Sequence, residues 1–242
     1  MYTQEQKEFL QTEGYLLLDM KELYPDEFDE AEKVLDRLKE NKRFNTLLTN
    51  HQHPSITDDI LSKIDELGIE KHKHDELLGD QDTLEEFHRF MVSKGDYEFA
   101  GQVWFYSQVR DNLFYNFKKD MAKFFYDFTD EELSKISTSP IHEFTLYLPG
   151  SRTPEHQDGC ETGRLLVFLT YFSKDYENGG GNFKFRDIHG QTQEIVPEYG
   201  KVLILDFTDK YDNPRNNLYH EVTPVKSFRR YCYLGSLNSL MN

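Results

Sequence analysis

The hydrophobic rhythm of the chain changes near Pro140. Before that point apolar residues recur at helical spacing. Val109, Leu113, Phe117, Met121, Phe124, Phe125 and Phe128 form one stripe between lysines and aspartates, the signature of an amphipathic helix with one face against a core. Asp26 to Glu40 repeats the pattern with Phe28, Ala31, Val34, Leu35 and Leu38, and Thr57 to Leu67 reads as a further helix capped by Thr57 or Asp58. The charged stretch from His51 to Asp82, with turn signals at HPS and GD, reads as an excursion able to lie over an active site.

After Pro140 the period shortens to that of strands punctuated by Gly, Pro, Asp and Asn. Eight segments qualify: 141–148, 153–158, 164–172, 182–187, 192–196, 201–207, 218–223 and 229–237. With few helical signals between them, they predict a mainly β core built as a double-stranded β-helix, a jelly roll of the cupin type whose small-molecule site lies between two sheets. Residues 1–139 are then a helical region packed on the outer face and covering the barrel, and 140–242 the barrel itself, the two forming one integrated domain. No internal repeat or low-complexity tract is present.

Composition narrows the function. At 242 residues the chain buries enough surface to need no disulfide or metal staple. A net charge of −16, from 44 acidic and 28 basic residues, repels phosphate backbones, so nucleic acid is not an expected partner. The first residues lack a cationic flank before an apolar run, and no window approaches the ~18 consecutive apolar residues of a membrane span. A soluble cytoplasmic protein without a membrane partner is expected. Cys160 and Cys232 lack C-x-x-C spacing and read as reduced thiols.

The candidate chemistry begins at HQDG, 156–159. On a strand, residues i and i+2 point the same way, so His156 and Asp158 project together into the barrel while Gln157 faces out. A distant strand, LYHEV, supplies His220. Two imidazoles and one carboxylate form the facial set that binds Fe(II) and leaves positions open for a cosubstrate and O2. A 2-oxo diacid chelating that iron places its far carboxylate inside the barrel, where it needs a fixed cation. Arg230 meets that need through its planar fork. Alternation groups it with Cys232, Leu234 and Ser236 on the face that suits a crowded interior, and Arg229 is the fallback.

Other polar groups read more simply. HQH at 51–53, KHKHD at 71–75, His88, His142 and His189 are expected in solvated positions. Cys232 is expected as a packed core thiol, Trp104 and its neighbours as core aromatics, and GGG at 179–181 as a tight turn that lacks the following helix of a phosphate cradle.

Taken together, His156-x-Asp158, His220 and Arg230, with GGGNF (179–183), IVPEYGKVLILDF (195–207) and HEVTPV (220–225), resemble the 2-oxoglutarate and Fe(II)-dependent oxygenases. Within that superfamily the resemblance is to the prolyl hydroxylase-like branch, including the hypoxia-sensing enzymes, and it spans about Phe144 to Ser236. It implies a double-stranded β-helix and hydroxylation of an aliphatic C–H coupled to decarboxylation of 2-oxoglutarate to succinate and CO2. It also implies Fe(II), 2-oxoglutarate and O2 as cofactor and cosubstrates, with ascorbate as a candidate auxiliary reductant. By the same resemblance His156, Asp158 and His220 match the iron ligands, Arg230 matches the residue holding the cosubstrate carboxylate, and Tyr171 matches a tyrosine that hydrogen-bonds it. The implied substrate is a prolyl or other amino-acid-type unit, free or within a peptide or protein.

Two departures stand out. Leu148 occupies the place of a second pocket tyrosine before Pro149-Gly150, leaving Tyr147 or Thr145 to complete the pocket. The interval of ten residues from His220 to Arg230 matches the collagen-type enzymes, which carry lysine there. Three other readings stand beside the leading one: a hydroxylase of a natural-product metabolite, a non-catalytic metal-binding cupin-like module, and a metal-dependent hydrolase.

Overall fold

The computed structural model describes residues 2–48, 57–71, 76–94, 103–108, 113–134, 142–157, 163–177, 179–213, 215 and 219–240. Among these, seven helices are formed: α1 (Gln4–Glu13), α2 (Met20–Leu23), α3 (Pro25–Glu40), α4 (Asp58–Glu66), α5 (Gln81–Ser93), α6 (Tyr115–Tyr126) and α7 (Asp130–Leu133). Their ends follow local chemistry. Thr3 and Gln6 close a capping box at the start of α1, and Gly14 ends that helix at φ 77°, a conformation with no Cβ penalty for glycine. Pro25 opens α3 at a position where no N–H is required.

Five strands precede Pro140: β1 (Tyr15–Asp19), β2 (Asn45–Leu48), β3 (Glu70–Lys71), β4 (Glu76–Leu78) and β5 (Val103–Gln108). Eight follow: β6 (His142–Tyr147), β7 (Thr153–His156), β8 (Arg164–Tyr171), β9 (Phe183–Arg186), β10 (Thr192–Ile195), β11 (Lys201–Asp206), β12 (His220–Val222) and β13 (Arg230–Asn238). Each of these eight falls on a predicted segment. They divide between two antiparallel sheets, of order β1-β11-β8-β13-β6-β5-β2-β4-β3 and β10-β9-β12-β7. The architecture is therefore mainly β, a jelly-roll-like pair of sheets, and the first 139 residues contribute strands to it as well as helices.

The core has two parts because strands alternate. Val167 and Tyr171 of β8, Leu203 and Leu205 of β11 and Cys232 of β13 meet Phe183, Phe185 and Val222 of the smaller sheet, filling the space between the sheets. Leu166 and Phe168 of β8 and Val202 and Ile204 of β11 face the other way. There Phe28 of α3 stacks on Phe172 at 4.7 Å, and Phe117 of α6 meets Phe168 edge-on at 5.0 Å.

Two local expectations need correction, both concerning histidines. Helix α5 follows the charged stretch, and its Leu84, Phe87, His88 and Met91 form a buried stripe. His88 is 1% exposed rather than solvated, and its ring nitrogen lies 2.8 Å from the Ser151 hydroxyl. His142 is likewise held within β6, partly buried, with Nδ1 3.0 Å from the Tyr233 hydroxyl. Burial lowers both imidazoles to a pKa of about 4, so both are neutral near pH 7. His189 is exposed, as expected, whereas residues 51–53 and 72–75, with their histidines, lie outside the described residues.

Candidate active site

Two histidines from distant parts of the chain meet on one rung of the smaller sheet. His156 ends β7, His220 opens β12, and the two are direct partners across the antiparallel ladder, with ring centroids 4.3 Å apart. Phe183 on the neighbouring strand stacks against His220 at 5.2 Å and fixes that ring's plane. The Nδ1–H of His156 donates to the Pro154 carbonyl at 2.9 Å, which sets the tautomer and leaves Nε2 as the lone-pair donor. A β-bulge follows in β7. Val222 pairs with Thr153, so two residues of β7, Pro154 and Glu155, oppose one of β12, Glu221. Asp158 lies outside the described residues.

Across the inter-sheet space, Arg230 starts β13 and is 1% exposed. Among the described residues its Nε and Nη2 have no hydrogen-bond partner, nor has the buried hydroxyl of Tyr171 on β8. Cys232 of β13 pairs with Tyr171, and Arg230 pairs with Tyr147 of β6. The guanidinium therefore lies between two phenol rings, 5.0 Å from that of Tyr147 and 5.2 Å from that of Tyr171. Burial raises the pKa of both phenols, partly opposed by the Arg230 charge, so both stay protonated as donors. The Tyr147 hydroxyl is engaged with Thr153 Oγ1 at 2.8 Å. Thr145, the other residue considered for this pocket, hydrogen-bonds the Cys232 carbonyl instead.

Buried orphaned donors cost about 1–3 kcal/mol each, and more when charged. Arg230 and Tyr171 thus form a cradle whose chemistry fits an incoming carboxylate. Arg229 offers no such capacity. It lies on the opposite face of the chain and makes two hydrogen bonds to Glu85 of α5, at 2.7 and 2.6 Å. Cys232 is a buried thiol with its pKa pushed up to about 12, a packed core group that stays protonated.

Sequence reasoning did not single out Glu85 or Glu143, and read Gly181 only as part of a tight turn. Glu85 binds Arg229. Gly181 has φ 69°, and a Cβ there would lie 2.9 Å from Arg230 Cδ, so this glycine packs against the arginine's stem. Glu143 lies on the same face of β6 as Thr145 and Tyr147. Strand alternation gave the means to place Glu143. A surface hollow lined by Tyr2, Leu23, Tyr24, Asp120, Lys123 and Phe124 belongs to the helical side and shares no residue with this site. No helix among the described residues is long and apolar enough to cross a membrane.

Solved structures share this arrangement of strands. A prolyl hydroxylase from Trichoplax adhaerens, in complex with a peptide fragment of the hypoxia inducible factor oxygen degradation domain, superposes with a TM-score of 0.51 at 14% identity, over 97% of this chain and 87% of that one. The chain has the prolyl hydroxylase fold. A viral collagen prolyl hydroxylase from Paramecium bursaria Chlorella virus-1, in its 2-oxoglutarate complex, gives a TM-score of 0.49 at 14% identity over 93% and 96% of the chains. A Pseudomonas putida prolyl-4-hydroxylase gives 0.46 at 12% identity over 97% of both. No family model matches the sequence, and no curated protein matches it. The resemblance to prolyl hydroxylases thus lies in the fold, and the chemistry has to be argued from the site.

Proposed function

We propose that this protein is an Fe(II)- and 2-oxoglutarate-dependent dioxygenase that hydroxylates an aliphatic C–H of a prolyl or other amino-acid-type substrate, within a double-stranded β-helix. The observation that carries this reading is the buried Arg230 with two orphaned nitrogens, beside the orphaned Tyr171 hydroxyl, in the inter-sheet space that the histidine pair also borders. A site that only held a metal would have no use for a desolvated guanidinium without a partner. In this reading His156 and His220 hold the metal through their ring nitrogens, and Asp158 completes the set two residues beyond His156. Arg230 takes the far carboxylate of 2-oxoglutarate through its fork, with Tyr171 donating to the same group. Bound iron would supply C–H oxidation coupled to decarboxylation of 2-oxoglutarate to succinate. The protein's own part is to keep the cosubstrate in one orientation and to exclude bulk water from the inter-sheet space.

The test is an anaerobic optical titration of metal-free protein with Fe(II) and then 2-oxoglutarate. A visible charge-transfer band that is lost in His156→Ala supports the reading. Fe(II) binding without that band would reduce the protein to a metal-binding cupin-like module, and failure to bind metal would leave only the shared fold.

A further inference from the structure

Glu143 carries a carboxyl group on the inner face of the larger sheet that neither the fold nor the proposed chemistry uses. In β6 the residues 143, 145 and 147 share a face. Register places each opposite an inward residue of β13: Tyr147 by Arg230, Thr145 by Cys232 and Glu143 by Leu234. Leu234 packs against the inter-sheet core, so the carboxyl group lies on the same face of the sheet as the proposed cosubstrate cradle. Its other neighbour across the ladder is Gln108 of β5, which is exposed, so this row leads from the interior toward solvent.

Two facts make this carboxylate unusual. It is partly buried, yet among the described residues it has neither a hydrogen bond nor an ion pair, whereas Glu85 of comparable setting is clamped by Arg229. Burial alone raises its pKa to about 7. The second fact is distance. Glu143 stands four positions before Tyr147 on β6, about 13 Å along the strand at ~3.3 Å per residue. That exceeds the length of an extended five-carbon diacid anchored at Arg230, so Glu143 stays beyond the reach of the cosubstrate.

We infer that Glu143 is a specificity-determining residue that pairs with a cationic group of the primary substrate, an ammonium or a guanidinium. The inference rests on the hydroxylase reading for which substrate this is, and it narrows amino-acid-type substrates to those carrying a positive charge. A cation here restores the carboxylate's missing partner, while a neutral substrate leaves it desolvated and unpaired, and an anionic one meets repulsion. The net charge of −16 works in the same direction by drawing cations toward the molecule.

The experiment uses the anaerobic Fe(II)–2-oxoglutarate complex of the full chain, titrated by calorimetry with L-lysine and L-arginine and with their uncharged isosteres L-norleucine and L-citrulline. The cationic member of at least one pair should bind about tenfold or more tightly than its isostere, since a desolvated charge-assisted contact exceeds the 1.4 kcal/mol that a factor of ten requires. Glu143→Gln should erase that preference while the charge-transfer band with 2-oxoglutarate stays unchanged. Equal binding within both pairs, or no binding of any probe, overturns the inference from the native protein alone, whether or not the variant folds. A preference that survives in folded Glu143→Gln also overturns it. Absence of the band in the native protein would instead remove the oxygenase reading, while a Glu143-dependent preference for cations would still stand as a binding site.

Discussion

Arg229 and Arg230 are adjacent in sequence and opposite in circumstance. Arg229, on the outer side of the larger sheet, is fully paired: Glu85 of α5 accepts two hydrogen bonds from it, and Gln81 in turn donates to Glu85 at 2.8 Å. Arg230, on the inner side, is more deeply buried and has two nitrogens without partners among the described residues. A protein that can build so complete a clamp for one arginine has no structural reason to leave its neighbour incomplete. The outer face shows how this chain satisfies a charge for stability, and the inner face is where the proposed function places an incoming carboxylate.

The widest separation between the two faces comes from removing each arginine in turn. Arg230→Ala should weaken 2-oxoglutarate binding by at least about thirtyfold, corresponding to the ~2–5 kcal/mol lost with a buried charge-assisted contact. It should leave Tm unchanged or raised, because an unpaired buried cation disappears. Arg229→Ala should do the reverse. Cosubstrate binding stays intact, while Glu85 loses its partner at about 1–3 kcal/mol, and Tm falls by about 2–4 °C for each of those kcal/mol. Parallel titration and calorimetric melting check both, and a drop in cosubstrate affinity confined to Arg229→Ala would exchange the roles assigned to the two faces.

A smaller effect sharpens the inner face. Gly181 and Gly190 both have positive φ, 69° and 76°, but a Cβ at Gly181 would press on Arg230 Cδ and Val225, whereas at Gly190 it meets nothing within 4 Å. Alanine at either should cost about 1–2 kcal/mol of backbone strain. Only Gly181→Ala should also raise the 2-oxoglutarate requirement, by about tenfold, because the arginine's stem has to shift. Equal cosubstrate affinity in the two variants would detach the glycine turn from the cradle.

The last effect is absent at neutral pH and concerns the outer face again. His88 of α5 is buried and neutral, with its pKa near 4 against an ordinary value of 6.5. A lowered value means that the unfolded chain takes up the proton first. The stability tied to His88 is therefore complete above pH 6.5 and drains away as pH falls toward 4, at up to about 1.4 kcal/mol per pH unit. His88→Gln removes that liability, so the variant's Tm should gain on the native protein's across this window. Parallel Tm–pH curves would mean that His88 is already charged or solvated in the fold.

The second half of the fold was legible because its strands carry their own signals. Each of the eight segments after Pro140 has β-branched or aromatic alternation bounded by turn residues, and the register brings His156 to His220 and Arg230 to Tyr147 and Tyr171 much as alternation implies. The first half was less legible because tertiary context decides it. Asn45–Leu48 is a four-residue strand with no turn chemistry to announce it, and Val103–Gln108 reads equally as a buried aromatic run. Helix α5 shows a 3.6-residue period at Leu84, Phe87, His88 and Met91, but a histidine among charged neighbours read as solvated, and only the packed helix shows it on the buried stripe. Within the site, residue types that chelate or clamp stood out, while Glu143 did not. A lone glutamate on a strand has meaning only once the register shows which side of the sheet it occupies.

The bulge in β7 has a consequence for how this strand can change. Thr153 and His156 stand an odd number of positions apart, and on a regular strand they would face opposite sides. The extra residue reverses that parity, so that one short strand presents both the imidazole proposed to hold the metal and the hydroxyl that braces Tyr147 beside Arg230. The spacing between them is therefore as constrained as their identities. Sequence drift at Pro154 or Glu155 is tolerable, but a chain one residue shorter here would have to turn one of the two outward.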